Sequence, residues 1–210
     1  MFIGHFAVAL AARSAEPRAS LGMLTLAAQW LDLIWPLFLL AGWEQVRVSP
    51  GDTAFTPLEF VSYPWTHSAL VAVVWAGLFA VACWGFVRRT RVALITGGAV
   101  FSHWVLDWVT HRPDLPLYPG GALHGLGLWN SVPATVAIEI AMFVGAVALY
   151  RRARGRSKRV LPYAVFLGAI YLGNILGPPP PSPAAVAWAS LALWVMPVWA
   201  WWIDREAARQ

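Results

Sequence analysis

Long apolar runs constrain this chain more than any other feature. They fall at roughly 2–12, 20–42, 66–87, 92–110, 132–150, 160–177 and 184–203. Most approach the ~20 residues that a helix needs to cross the hydrocarbon core of a bilayer. The first is too short for that, and a half-helix or re-entrant piece is expected there. Charged residues make up only 12% of the chain, where a soluble domain carries about a quarter. Mean hydropathy is +0.60. The expected fold is an all-α, polytopic integral membrane helical bundle with six to seven transmembrane segments. It forms a single domain over residues 1–210, with no internal repeat. The start of the chain lacks a basic stretch ahead of its apolar run, so it does not read as a signal peptide and is expected to be retained.

The basic residues orient the bundle. The short connections carry Arg13 and Arg18, then Arg88, Arg89 and Arg91, then the run from Arg151 to Arg159, and finally Arg205 and Arg209. Thirteen of the fifteen Lys and Arg thus fall on one side of an alternating seven-segment path, and only Arg47 and Arg112 on the other. The positive-inside rule then places the N-terminus outside and the C-terminus in the cytoplasm, in an inner (plasma) membrane. If the first segment does not cross, the other six keep the same orientation. A sequence pI near 10 would point to nucleic acid in a soluble protein. Here the charges sit in loops, so the partner they imply is lipid, and no nucleic-acid partner is expected. The fourteen tryptophans suit interface anchors. The single cysteine, Cys83, cannot form an internal disulfide. The loops 43–65 and 111–131 are rich in Pro, Gly and Trp and are expected to be ordered, and the proline-rich 178–183 to be extended.

Against this apolar background stands Ser102-His103-Trp104-Val105-Leu106-Asp107, followed by His111. On a helix, His103 and Asp107 lie one turn apart on the same face. Ionisable side chains inside a membrane are costly and mark function by default. His5, Asp32, His67, His103, Asp107, His111 and Glu139 all land on the outer half of their segments, although Lys and Arg alone set the orientation. They are expected to form one site near the outer face. Imidazole with carboxylate is the usual donor set for zinc and also suits manganese or iron. A divalent cation between His and Asp removes the penalty of burying a bare carboxylate. Each residue also has a plainer reading. His5 can be an interfacial histidine, Asp32 a cap beside Pro36, and His67 a helix-start residue behind Thr66. His103 and Asp107 can be a hydrogen-bonded pair. His111 and His124 read as ordinary loop or surface residues, and Glu139 as a helix-to-helix contact.

The combination of Gly4-His5, Asp32, Thr66-His67-Ser68 and Ser102-His103-x-x-x-Asp107 resembles the bacterial membrane-bound metal-dependent hydrolases of the DUF457, or YdjM-like, family. That family is similar in turn to zinc-dependent phospholipase C and P1-type nucleases. The likeness covers roughly the first 150 residues. It implies His5, Asp32, His67, His103 and Asp107 as metal ligands, with Asp32 and His67 as the catalytic groups. It also implies hydrolysis of an ester or phosphoester of a lipid or membrane-associated substrate by metal-activated water. Asp32 or Asp107, whichever holds the metal less tightly, is the expected base. Two departures matter. The family commonly has Asp-x-Asp where this chain has Asp32-Leu33-Ile34, and His-Arg-Gly where it has Tyr63-Pro64-Trp65. With one carboxylate and one histidine fewer, a single metal is expected instead of a full cluster. The rival readings are an ion or proton relay or transporter, a haem-binding electron carrier and a structural membrane subunit, each using the same polar cluster.

Overall fold

Every one of the seven apolar runs becomes helical, and sequence signals at their ends explain where the helices begin. The computed structural model describes residues 1–154 and 158–207, so Arg156 and Arg209 of the basic connections lie outside the described residues. The helices are α1 (Ile3–Ala15), α2 (Leu21–Ala28), α3 (Trp30–Leu40), a single turn α4 (Pro64–His67), α5 (Ala69–Val87), α6 (Thr90–Thr110), α7 (Val132–Ala153), α8 (Val160–Leu176), α9 (Pro183–Leu191) and α10 (Val195–Ala207). Ser20, Ser68, Ser131 and Ser182 cap α2, α5, α7 and α9, each accepting a backbone N–H from the third residue on. Such caps satisfy donors that a helix start otherwise leaves orphaned. Pro183, expected in the extended stretch, instead opens α9, where its fixed φ and missing N–H suit the first turn.

Four stretches are long and apolar enough to cross a membrane: α5, α6, α7 and the composite Pro183–Arg205. The pair α2 and α3, bent by 50° at Gln29, makes a fifth if counted as one span. The outward faces agree with this. Val81 of α5, Leu94 of α6 and Val165 of α8 are 70%, 67% and 72% exposed, which suits lipid contact and not water. In contrast, α1 is buried along most of its 13 residues and packs against α2, α6 and α7. Close backbone approach is built from glycine. A Cβ on Gly97 of α6 would sit 2.9 Å from the Ala76 carbonyl of α5, and one on Gly22 of α2 would sit 2.4 Å from Trp201 Cβ of α10.

The two ends of the bundle differ chemically. At one end Arg13 grips Asp204 through Nε at 3.0 and 2.8 Å, and Leu21 N–H (3.1 Å) and Tyr150 Oη (3.3 Å) donate to the same carboxylate. Arg154 Nε lies 3.6 Å away, and Arg91 pairs with the buried Glu16 nearby at 3.0 Å. His5 lies two turns toward the other end of α1, about 12 Å along the axis. That other end is roofed by the connections. An antiparallel hairpin, β1 (Gln45–Val48) with β2 (Leu58–Ser62), follows α3. A second short pair, β3 (Leu115–Pro116) with β4 (Leu123–His124), follows α6. The two roofs are tied where Phe55 N–H donates to the Trp129 carbonyl. The expected ordered loops therefore contain small sheets, which the helical period of the spans gave no sign of.

Candidate metal centre

Four elements deliver five side chains to one point. α1 brings His5, the first turn of α3 brings Asp32, α4 brings His67, and α6 brings His103 and Asp107 on one face. His103 Nε2 lies 3.1 Å from Asp107 Oδ2 and 3.5 Å from Asp32 Oδ1. His67 Nε2 lies 3.5 Å from the same Asp32 oxygen and 3.7 Å from the same Asp107 oxygen. These four contacts run in a closed circuit of alternating nitrogen and oxygen. On the other oxygen of Asp107, Oδ1, sits His5 Nε2 at 3.1 Å, with the Met1 backbone nitrogen on that oxygen as well. The His5 and His103 rings stack with centroids 3.6 Å apart. Two triplets, His5–His103–Asp107 and Asp32–His67–His103, each keep their donor atoms within 4.8 Å of one another.

The hydrogen bond behind His103 turns its lone pair inward. His103 Nδ1 lies 2.7 Å from the Ala28 carbonyl, which only accepts, so Nδ1 carries the proton. Its Nε2 is fully buried and makes no hydrogen bond among the described residues, despite two carboxylates close by. A buried imidazole lone pair pointed at carboxylate oxygens is repulsive unless a proton or a metal cation lies between them. The separations suit a metal. With ligands about 2.0–2.1 Å from zinc, the edge between two ligands of a tetrahedral ion is about 3.3 Å. The observed 3.1 to 3.7 Å span that value. The orphaned nitrogen, the edges and the mixed N/O donor set all fit a divalent ion.

Exposure separates the roles. The side chains of His5, His67, His103 and Asp107 are at most 4% exposed, while Asp32 is 27% exposed. Asp32, His67 and Asp107 line a cleft of about 540 Å³. Its other walls include Phe55, Trp129, Asn174, the Pro178–Pro180 stretch and Leu193. The centre is therefore reached from the cleft past Asp32.

Three residues that sequence reasoning left without a role shape this site. Glu139 of α7, read as a helix contact, accepts the Phe2 and Gly4 backbone N–H groups at 2.9 and 3.1 Å and so caps α1 just ahead of His5. His111, read as a loop residue, is 3% exposed and lines the same cleft. Its Nδ1 is held by Asp114 Oδ1 at 3.0 Å and Tyr63 Oη at 3.2 Å, and its ring is 4.1 Å from that of Trp129. Burial, helped by the Asp114 carboxylate, pushes the Tyr63 hydroxyl well above its usual range. Glu44 is buried against α4, and burial pushes its carboxyl up while His67 and donors from Thr66 and Trp65 work against that. His124 is exposed on β4, as its loop reading implied.

Compared with known proteins, the chain matches no family model, no curated protein and no solved structure. The functional reading therefore rests on the residues and their geometry.

Proposed function

We propose that this protein is an integral membrane hydrolase that holds one divalent metal, zinc before manganese or iron, in the His/Asp centre and cleaves an ester or phosphoester of a lipid or other membrane-associated substrate. The observation that carries the reading is the closed circuit of His67, Asp32, His103 and Asp107 around a buried, unbonded imidazole nitrogen. The resemblance to the DUF457 family, proposed on the same residues, points the same way.

A divalent cation in such a site acidifies water toward neutral pH and stabilises negative charge on the reacting ester. The chain's own groups do the rest. His103, closed off from the cleft, and Asp107, at its inner wall, would hold the ion. His67 holds from the cleft side and faces the substrate. Asp32, the exposed carboxylate, takes the proton from the attacking water. The cleft is polar at Asp32 and largely apolar toward Ile175 and Leu193, which suits a substrate with a polar ester head and a hydrocarbon body.

In this reading the bundle crosses a bacterial inner membrane six or seven times, with the metal centre toward the outside and the Arg13–Asp204 end toward the cytoplasm. The clustering of Arg13, Arg91 and Arg154 at the end away from the site supports that orientation. Elemental analysis of detergent-purified wild type beside His103→Ala tests the centre. About one zinc, manganese or iron per chain, lost in the variant, is expected. Absence of metal from the wild type after growth in metal-replete medium sinks the proposal and returns the cluster to a relay or packing role. With metal present, turnover of phosphoester lipids in mixed micelles tests the chemistry.

A further inference from the structure

Glu44 lies outside every helix, between α3 and β1, and no sequence pattern marks it. Yet it is 2% exposed, and both its oxygens are engaged. Oε1 accepts the backbone N–H groups of Trp65 and Thr66, each at 2.8 Å. Oε2 accepts the Thr66 hydroxyl at 2.7 Å. The same hydroxyl oxygen lies 2.7 Å from His67 Nδ1.

Proton counting makes this arrangement directional. A threonine hydroxyl has one proton, and an ionised carboxylate can only accept. The Thr66 proton is therefore spent on Glu44, and the Thr66 oxygen offers only a lone pair to His67. His67 Nδ1 must then carry the ring proton. Its Nε2 is left as the basic nitrogen, and that is the atom facing Asp32 and Asp107. We infer that Glu44 is a positioning residue: acting through Thr66, it locks His67 in the tautomer that presents a lone pair to the metal centre. The inference rests on the reading of His67 as a metal ligand. It goes beyond that reading by assigning the control of that ligand to a carboxylate just ahead of the roof hairpin, one residue removed from any contact with the site. Buried partners of this kind fix ring orientation and raise ligand basicity.

The plainer role for Glu44 is to cap α4 through Oε1, and Glu44→Gln separates the two. The two backbone donors require an acceptor at the first position, so the glutamine amide nitrogen is directed at Thr66. That NH₂ donates to the Thr66 oxygen, and the hydroxyl proton turns to His67 Nδ1. The relay runs backwards, and the proton of His67 moves to Nε2.

The experiment is ¹⁵N-histidine NMR of the metal-stripped full-length protein in detergent, followed by zinc titration of the same samples. In the wild type and Thr66→Ser, His67 is expected to be protonated on Nδ1. In Glu44→Gln it is expected on Nε2, and in Thr66→Val the preference for Nδ1 is expected to be lost. Zinc affinity is expected to fall about 10- to 100-fold in Glu44→Gln and Thr66→Val and to be restored in Thr66→Ser. An unchanged His67 tautomer in both Glu44→Gln and Thr66→Val overturns the inference, even if zinc still binds. A tautomer that shifts as described in a protein that binds no zinc leaves the lock standing and removes the metal reading. Thr66→Val keeps the size and β-branching of threonine, so it serves if Glu44→Gln does not fold.

Discussion

Replacing Glu139 by alanine removes the acceptor for two backbone N–H groups at the start of α1. The Gly4 N–H is buried, and a buried donor left without a partner costs about 2 kcal/mol. The Phe2 N–H lies beside the cleft, where water can reach it, and its loss costs about 1 kcal/mol. Glu139→Ala is therefore expected to lower stability by about 3 kcal/mol. Glu139→Gln keeps an acceptor oxygen and loses only the charge assistance, so its cost is expected near 1 kcal/mol. Because His5 follows Gly4 directly, the alanine variant should also lose metal, whereas the glutamine variant should keep most of it. Denaturant unfolding in detergent micelles gives the first quantity, and elemental analysis of the same preparations gives the second. If the alanine variant unfolds with the wild type, or if alanine and glutamine behave alike, the capping argument is wrong.

Three further outcomes follow from the geometry. Asp204→Ala strands the buried Arg13 guanidinium and the Leu21 N–H, and is expected to cost about 3–5 kcal/mol in the same unfolding assay; a loss under 1 kcal/mol would count against the clamp. Asp32→Asn is expected to abolish turnover while leaving most metal bound, whereas Asp107→Asn, whose two oxygens both serve the centre, is expected to lose the metal; equal metal loss in both refutes the division of roles. Tyr63 contributes to the pH dependence at high pH, because its hydroxyl ionises higher in the folded than in the unfolded protein. Its contribution is full below the unfolded value of about 10 and is lost as pH rises through that value and beyond, because the unfolded chain then releases a proton that the folded one keeps. Tyr63→Phe should unfold with a shallower pH dependence above about pH 10, and an unchanged slope excludes the assignment.

The spans were legible in the sequence because a lipid-facing helix must be apolar along its whole length, a requirement that each residue meets locally. His103 and Asp107 were legible for a similar reason, since their spacing alone puts them on one face of α6. The meeting of His5, Asp32 and His67 with them depends on tertiary contacts. It was suggested only by the shared outer-half position and the family resemblance. Glu44 and Glu139 left no local mark. Glu44 meets Thr66 only because the hairpin β1–β2 brings the chain back beside it, and Glu139 caps a helix 135 residues away in sequence. His111 looked like a loop residue because it sits two positions before Pro113. It is buried because Trp129 and Phe60 close over it from two other segments.

The grip of Arg13 on Asp204 joins positions 191 residues apart. A chain made from its N-terminus forms α1 before the partner that anchors it, which arrives only with α10. The same holds for Glu139, which fixes the His5 end of α1 and comes two-thirds of the way along. The arrangement thus matures only once α10 has been made, and a nascent chain stalled before α10 holds His5 on a helix that lacks its Asp204 anchor. In the proposed reading, the order of synthesis keeps the hydrolytic centre incomplete until α10 is in place.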